Sequence, residues 1–210
     1  MVVLNVLRYL GIVLSIRGSF IHATNTIVAK GLRTMGSRLH VTKQLCVPIA
    51  TLFHLVDAYV TSILNYGCEQ WGFKKYENIE RVHRQFCKYR LHVKMTTHSY
   101  AQYSEVGRVP LYIERYVLIA KNVLKLFHIH SSNCILKTSL LKCQYNRVNS
   151  NVRYTDWTKQ VRDMSQNSGF NDVWCFPESV NETMFIPLLR HWYLVIHWYT
   201  CTTSLRVLIC

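Results

Sequence analysis

Apolar positions along this chain recur first at a strand-like period and then, for most of its length, at a helical one. The stretch "RYLGIVLSIRGSF" (residues 8–20) reads as a strand, a turn and a restart: Tyr9-Leu10-Gly11-Ile12-Val13-Leu14, then Ser15 to Ser19, then Phe20-Ile21. It predicts a β-hairpin near residues 8–21. Residues 23–40 then place Val28, Leu32, Met35 and Leu39 at i, i+4, i+7 and i+11, one apolar stripe of a helix, with Lys30 and Arg33 on the other side. Gly31 and Gly36 weaken that helix by about 1 kcal/mol each relative to Ala. Pro48 suits the first turn of a second helix, Ile49 to Tyr66, ended by Gly67. Apolar on most faces, this segment is expected to be the central buried helix. It is not expected to span a membrane, because His54 and Asp57 interrupt it and a span needs about 20 mostly apolar residues.

Residues 77–93 carry two stripes. Ile79, Val82, Phe86, Tyr89 and Val93 form an apolar one; Arg81, Arg84, Lys88 and His92 form a basic one, at steps of three and four. Any surface helix shows a polar face over an apolar one, but a face of one sign repels itself unless an anion lies opposite. Gly107 and Pro110 mark a break, and Leu111 to about His130 reads as another apolar helix bearing Arg115, Lys121 and Lys125. A polar stretch at 144–151 reads as a linker, Trp157–Gln166 as a short helix capped by Gly169, Pro177 as a stop, and Glu182 as the start of a last helix. The tail from 191 to 210 is aromatic and apolar without clean helical spacing. With only 8 glycines and 4 prolines, long regular elements are favoured over a turn-rich β-fold. The expected class is mainly α, opened by a short N-terminal hairpin.

Charge sharpens this. Lys and Arg total 25 against 11 acids, a formal +14, and the first acid is Asp57. Arg8, Arg17, Lys30, Arg33, Arg38 and Lys43 precede it with no carboxylate to neutralise them. Such localised positive charge fits a polyanion, most simply nucleic acid. No C-x-x-C pair occurs among the eight cysteines, so a zinc site lacks support, and a reducing, intracellular setting (nuclear or cytoplasmic, not secreted) is expected. Two-metal phosphoryl transfer needs converging carboxylates, and no two acids are adjacent. Glu77 and Glu80 are better placed to favour a helix N-terminus. Asp57, alone in an apolar helix, is expected to bond a neighbouring polar group. No G-x-S-x-G is present, and His128-x-His130 with Cys134 is a poor ligand set because residues two apart on a helix diverge.

From "RYLGIVLSIRGSF", through "DAYVTSILNYGCEQWGF", "NIERVHRQFCKYRLHVK" and "SEVGRVPLYIERYVLIAKNVLKLF", to "SGFNDVW", the chain resembles the C-terminal part of LINE-type, non-LTR retrotransposon reverse transcriptases. The resemblance covers roughly residues 7–190. It implies a primer-grip-like hairpin (1–21, with Tyr9, Leu10 and Gly11 at its turn), a thumb-like helical region (22–130), a post-thumb helical region (131–190) and a divergent apolar tail (191–210). It implies binding to RNA/DNA duplex or hybrid through Arg17, Lys30, Arg33, Arg81, Arg84 and Lys88. No membrane partner and no small-molecule substrate are implied. The catalytic aspartates and their Mg²⁺ belong to a palm preceding the Tyr-Leu-Gly strand in that family, so no catalytic residue, metal ligand or cofactor is expected here. The resemblance implies a truncated binding remnant. It would become part of an RNA-directed DNA polymerase if joined to an upstream palm, and it could equally be an inert pseudogene product. Gln70 stands where the family has an apolar residue, which is expected to loosen packing around Trp71, and the match ends at Arg190.

Overall fold

The computed structural model describes residues 6–15, 18–44, 47–94, 96–128, 156–170, 173, 175 and 179–209. The protein is mainly α with an N-terminal two-stranded antiparallel hairpin, as its periodicities predict. It divides into two compact units, Met1–Tyr112 and Ile113–Cys210.

In the first unit, β1 (Val6–Tyr9) pairs with β2 (Ile12–Ser15), with Tyr9 opposite Ile12 and Leu7 opposite Leu14. The helix α1 (Ile21–Gln44) is longer than expected and buries a different face. Ala23, Thr24, Ile27 and Gly31 are buried, whereas Leu32 is exposed and Val28, Met35 and Leu39 are only half-buried. The reason is close approach. A Cβ on Gly31 would lie 2.7 Å from Cδ2 of Leu64, so the face that carries the bare Cα of Gly31 turns to the neighbouring helix. Gly31 therefore returns in packing what it costs in propensity.

That neighbour is the predicted 49–66 segment, which the structure resolves into α2 (Ile49–Val56), a π-helical turn (Asp57–Thr61) and α3 (Ser62–Leu64). The amide of Ser62 bonds the carbonyl of Asp57, an i→i−5 bond that widens the turn. Leu52, Val56, Val60 and Leu64, spaced by fours, are all buried. In an ideal α-helix each four-residue step drifts by about 40°, and the π turn offsets that drift. Burial is thus confined to one row: Ile49 and Tyr59 are exposed, correcting the expectation of a helix buried on most sides. The side chain of Arg38 lies over the Tyr59 ring, 4.0 Å from its centroid. Asp57 does find its polar partner. Arg108 grips both carboxylate oxygens, with Nη2 to Oδ2 at 2.7 Å, and its guanidinium lies 4.7 Å from the Phe53 ring centroid.

A short helix, α4 (Cys68–Trp71), carries Trp71 into the core, where its indole N–H donates to the Tyr66 carbonyl at 3.1 Å. Gln70 points to solvent, so the expected loosening around Trp71 is not seen. Then come α5 (Glu77–Leu91), α6 (Ser99–Val106), which periodicity did not reveal, and α7 (Leu111–His128), which crosses the boundary between the units. The rings of Phe53 and Phe86 meet edge to face at 5.3 Å, joining α2 to α5.

In the second unit α7 packs with α8 (Asp156–Asn167) and α9 (Glu182–Ile209) around Val117, Ala120, Leu124, Phe185, Ile186 and Leu189. Beyond α8, Gly169 takes a positive φ of 72°, as its place after the helix predicts. The tail is not irregular: residues 191–209 continue α9 without a break, past an internal Pro187. The expected linker at 144–151 and stop at Pro177 lie outside the described residues. Among those described, no helix is long and apolar enough to cross a membrane.

Leu52 and Val60 are almost fully buried. Leu52→Asp or Val60→Asp should abolish cooperative thermal unfolding of the first unit, since an unpaired buried charge cannot be accommodated. Leu52→Ala should cost about 2–5 kcal/mol in a denaturant titration. An unchanged midpoint for either aspartate variant would refute the buried row.

Candidate nucleic-acid interface

The hairpin turn is tight and unusual. Leu10 and Gly11 are its two loop residues and both take positive φ, 46° and 81°, as a primed two-residue turn requires. Glycine does this freely, but for leucine it carries a strain of order 1–3 kcal/mol. The strained peptide is held from outside: the Tyr66 hydroxyl donates to the Leu10 carbonyl at 2.8 Å, across 56 residues of sequence. Leu10 and Tyr9 are exposed, at 72% and 61%, so the turn presents an aromatic ring and an aliphatic side chain to solvent.

On α1, Lys30 and Arg33 are exposed, Lys30 at the edge of the buried Ala23–Ile27–Gly31 face and Arg33 farther round. On α5, burial of Ile79, Val82 and Phe86 turns Arg81 outward, as the two-stripe pattern predicts. The two helices are tied at their N-terminal ends by Asn78, whose amide donates to Thr24 Oγ1 at 3.2 Å and to Asn25 Oδ1 at 2.8 Å. This clamp went unforeseen, because nothing in the spacing of an Asn marks it as a partner for residues more than fifty positions away.

The basic stripe of α5 is not uniform. Glu77 lies two turns before Arg84 on the same face and forms an ion pair with it. Burial works against the Arg84 charge, but the Glu77 bond and charge outweigh it, so the guanidinium pKa is raised. Arg84 is thus committed within its own helix and offers little to an external anion. Lys88 is half-buried, and Tyr89, expected in the core, is 48% exposed. Arg17 lies outside the described residues.

The inner side of α5 carries polar groups that the apolar pattern concealed. Glu80 is 4% exposed and accepts the Leu111 N–H at 2.9 Å, satisfying one of the unpaired amides that open α7. A carboxylate there also suits the positive end of the helix. Glu77 and Glu80 therefore serve separate partners rather than converging. Buried His83 lies against Tyr103, with ring centroids 5.5 Å apart. Burial, with Glu80 adding to it, pushes the Tyr103 phenol far above its ordinary value. Burial likewise pushes the Cys87 thiol up to about 11, against a smaller opposing pull from Arg108. The phenol and the thiol stay neutral at ordinary pH and pack as core. Among the described residues, no group of three or more His, Cys, Asp or Glu is placed to hold a metal ion. What the outer surface can do is attract an anion through Lys30, Arg33 and Arg81.

Leu10→Asn should relieve the turn, because Asn tolerates the left-handed region better than Leu. A gain of up to about 1 kcal/mol in hydrogen-exchange protection across Val6–Ser15 is expected; weaker protection would mean that the leucine side chain itself holds the hairpin.

No family model, curated protein or solved structure matches this chain.

Proposed function

We propose that this chain is a nucleic-acid-binding module of the LINE-type reverse-transcriptase kind, which grips RNA/DNA duplex or hybrid through the phosphate backbone. The observation that carries this reading is the set of outward cations Lys30, Arg33 and Arg81 on two helices locked together by Asn78. It is supported by the +14 charge, the absence of any acid before Asp57, and the ordered family-like segments from residue 7 to 190. The exposed Tyr9–Leu10 turn is the counterpart of a primer grip. Backbone-directed cations give sequence-tolerant, salt-sensitive affinity, and A-form hybrids are recognised chiefly by shape. The 210 residues include no adjacent acidic pair of the kind that holds two catalytic metal ions, so the module binds without turning over.

Anisotropy measured across a salt series tests this. Wild type should bind a primer–template hybrid with a steep slope of log K against log salt. Lys30→Gln, Arg33→Gln and Arg81→Gln together should lower that slope by about 0.9 for each phosphate no longer neutralised, equally for different sequences. Arg84→Gln, which breaks an internal ion pair, should change the slope little. Equal slopes for wild type and the triple variant would remove these residues from the interface. With Mg²⁺ and deoxynucleotides the same primer should not be extended; extension that disappears when an acid is replaced would replace binding by polymerase activity.

A further inference from the structure

Tyr59 carries an aromatic ring that the core leaves largely unused. It stands on the π turn Asp57–Thr61, next to buried Val60, yet is itself 43% exposed. The guanidinium of Arg38 lies over it, 4.0 Å from the ring centroid, and among the described residues Arg38 meets no carboxylate. The acid two residues before the ring, Asp57, is taken up by Arg108. Both members of the pair rise from packed backbone. Val56, Val60 and Leu64 anchor the segment that carries Tyr59, and Ala23, Ile27 and Gly31 anchor α1. An aromatic face and a cation are thus held together at the surface, with the neighbouring negative charge already neutralised.

The pair matches the two parts of a nucleotide. A tyrosine ring offers a plane for a base, and a guanidinium offers either a second stacking plane or a donor for the adjoining phosphate. Its place on α1 agrees. Lys30 precedes Arg38 by about 12 Å along the helix and lies about 80° round it. At about 3.4 Å per base along a stacked strand, that distance corresponds to three or four steps. Base pairing decides which part of a nucleic acid can use the ring. In a duplex the base faces are covered by their neighbours, so only phosphates, sugars and groove edges meet a protein; a face is free only where the strand is unpaired. An apolar peptide laid on Tyr59 would strip water from Arg38 without supplying an anion. We propose that Arg38 and Tyr59 form a stacking site for an unpaired nucleobase, taking a single-stranded overhang beside the duplex that the outward cations hold. This rests on the nucleic-acid reading above and adds a subsite to it.

The test gives the full chain a blunt RNA/DNA hybrid, the same hybrid with a short overhang, and that overhang carrying 2-aminopurine, whose fluorescence falls on stacking. Wild type should bind the overhang about tenfold more tightly than the blunt hybrid and should quench the 2-aminopurine. Tyr59→Ala should lose both effects, and Tyr59→Phe should keep both, since the ring and not the hydroxyl meets the base. The salt slope for the blunt hybrid should be the same in wild type and Tyr59→Ala, because a ring neutralises no phosphate. If Tyr59→Ala melts early, Tyr59→Leu keeps apolar bulk without an aromatic plane and should likewise lose both effects. An overhang that adds no affinity, quenching that persists in the alanine or leucine variant, or loss of both effects in Tyr59→Phe would overturn the subsite while leaving blunt-hybrid binding intact. Failure of wild type to bind either hybrid would overturn the nucleic-acid reading and the subsite together.

Discussion

Four side chains one behind another, Leu52, Val56, Val60 and Leu64, hold the first unit together, and a single wide turn of helix makes that row possible. Without the i→i−5 bond from Ser62 to Asp57 the row would rotate away from α1 within three steps. With it, Leu64 meets the bare Cα of Gly31 and Phe53 meets Phe86, so both α1 and α5 are fixed to the same segment. The wide turn is braced from outside by Arg108, which holds the Asp57 carboxylate across the gap to the loop before α7. The positions of Lys30, Arg33 and Arg81 follow from this packing, since it decides which sides of α1 and α5 are left to solvent.

The scarcity of acids shapes the surface as much as the abundance of cations does. Several of the eleven are used internally. Asp57 is bound by Arg108, Glu77 by Arg84, Glu114 by Arg190, and Glu80 by the amide that opens α7. Each exposed pair adds little to stability, but it cancels one cation and one anion together and leaves the excess positive charge on the side chains that remain outward. Buried Glu80 differs in kind. Its carboxylate would be costly in the core without a donor, and the unpaired amide at a helix start is a donor that needs an acceptor.

The two units differ in the chemistry they offer. The first exposes cations on well-anchored helices, suited to a partner recognised through its charge. The second exposes Leu188, Val195 and Trp198 on one long helix that carries no Asp, Glu, Lys or Arg between Arg190 and Arg206.

The class of fold was legible in the sequence because it depends on local periodicity and on glycine and proline. The hairpin around Leu10-Gly11, the helix opening at Glu77, the break at Gly107–Pro110 and the cap at Gly169 all follow from neighbours in sequence. The outward placement of Arg81 was legible for the same reason. Which face of α1 turns inward was not, because that was decided by the approach of Leu64 to Gly31, and a hydropathy pattern has no record of distance. The withdrawal of Arg84 into an ion pair, the burial of Glu80 and His83 among apolar residues, and the bond from Tyr66 to the strained Leu10 carbonyl were equally hidden. The continuation of α9 through residues that lack an amphipathic period was missed for a related reason. A helix apolar on several sides has no preferred face for periodicity to detect, and only its backbone shows that it is a helix.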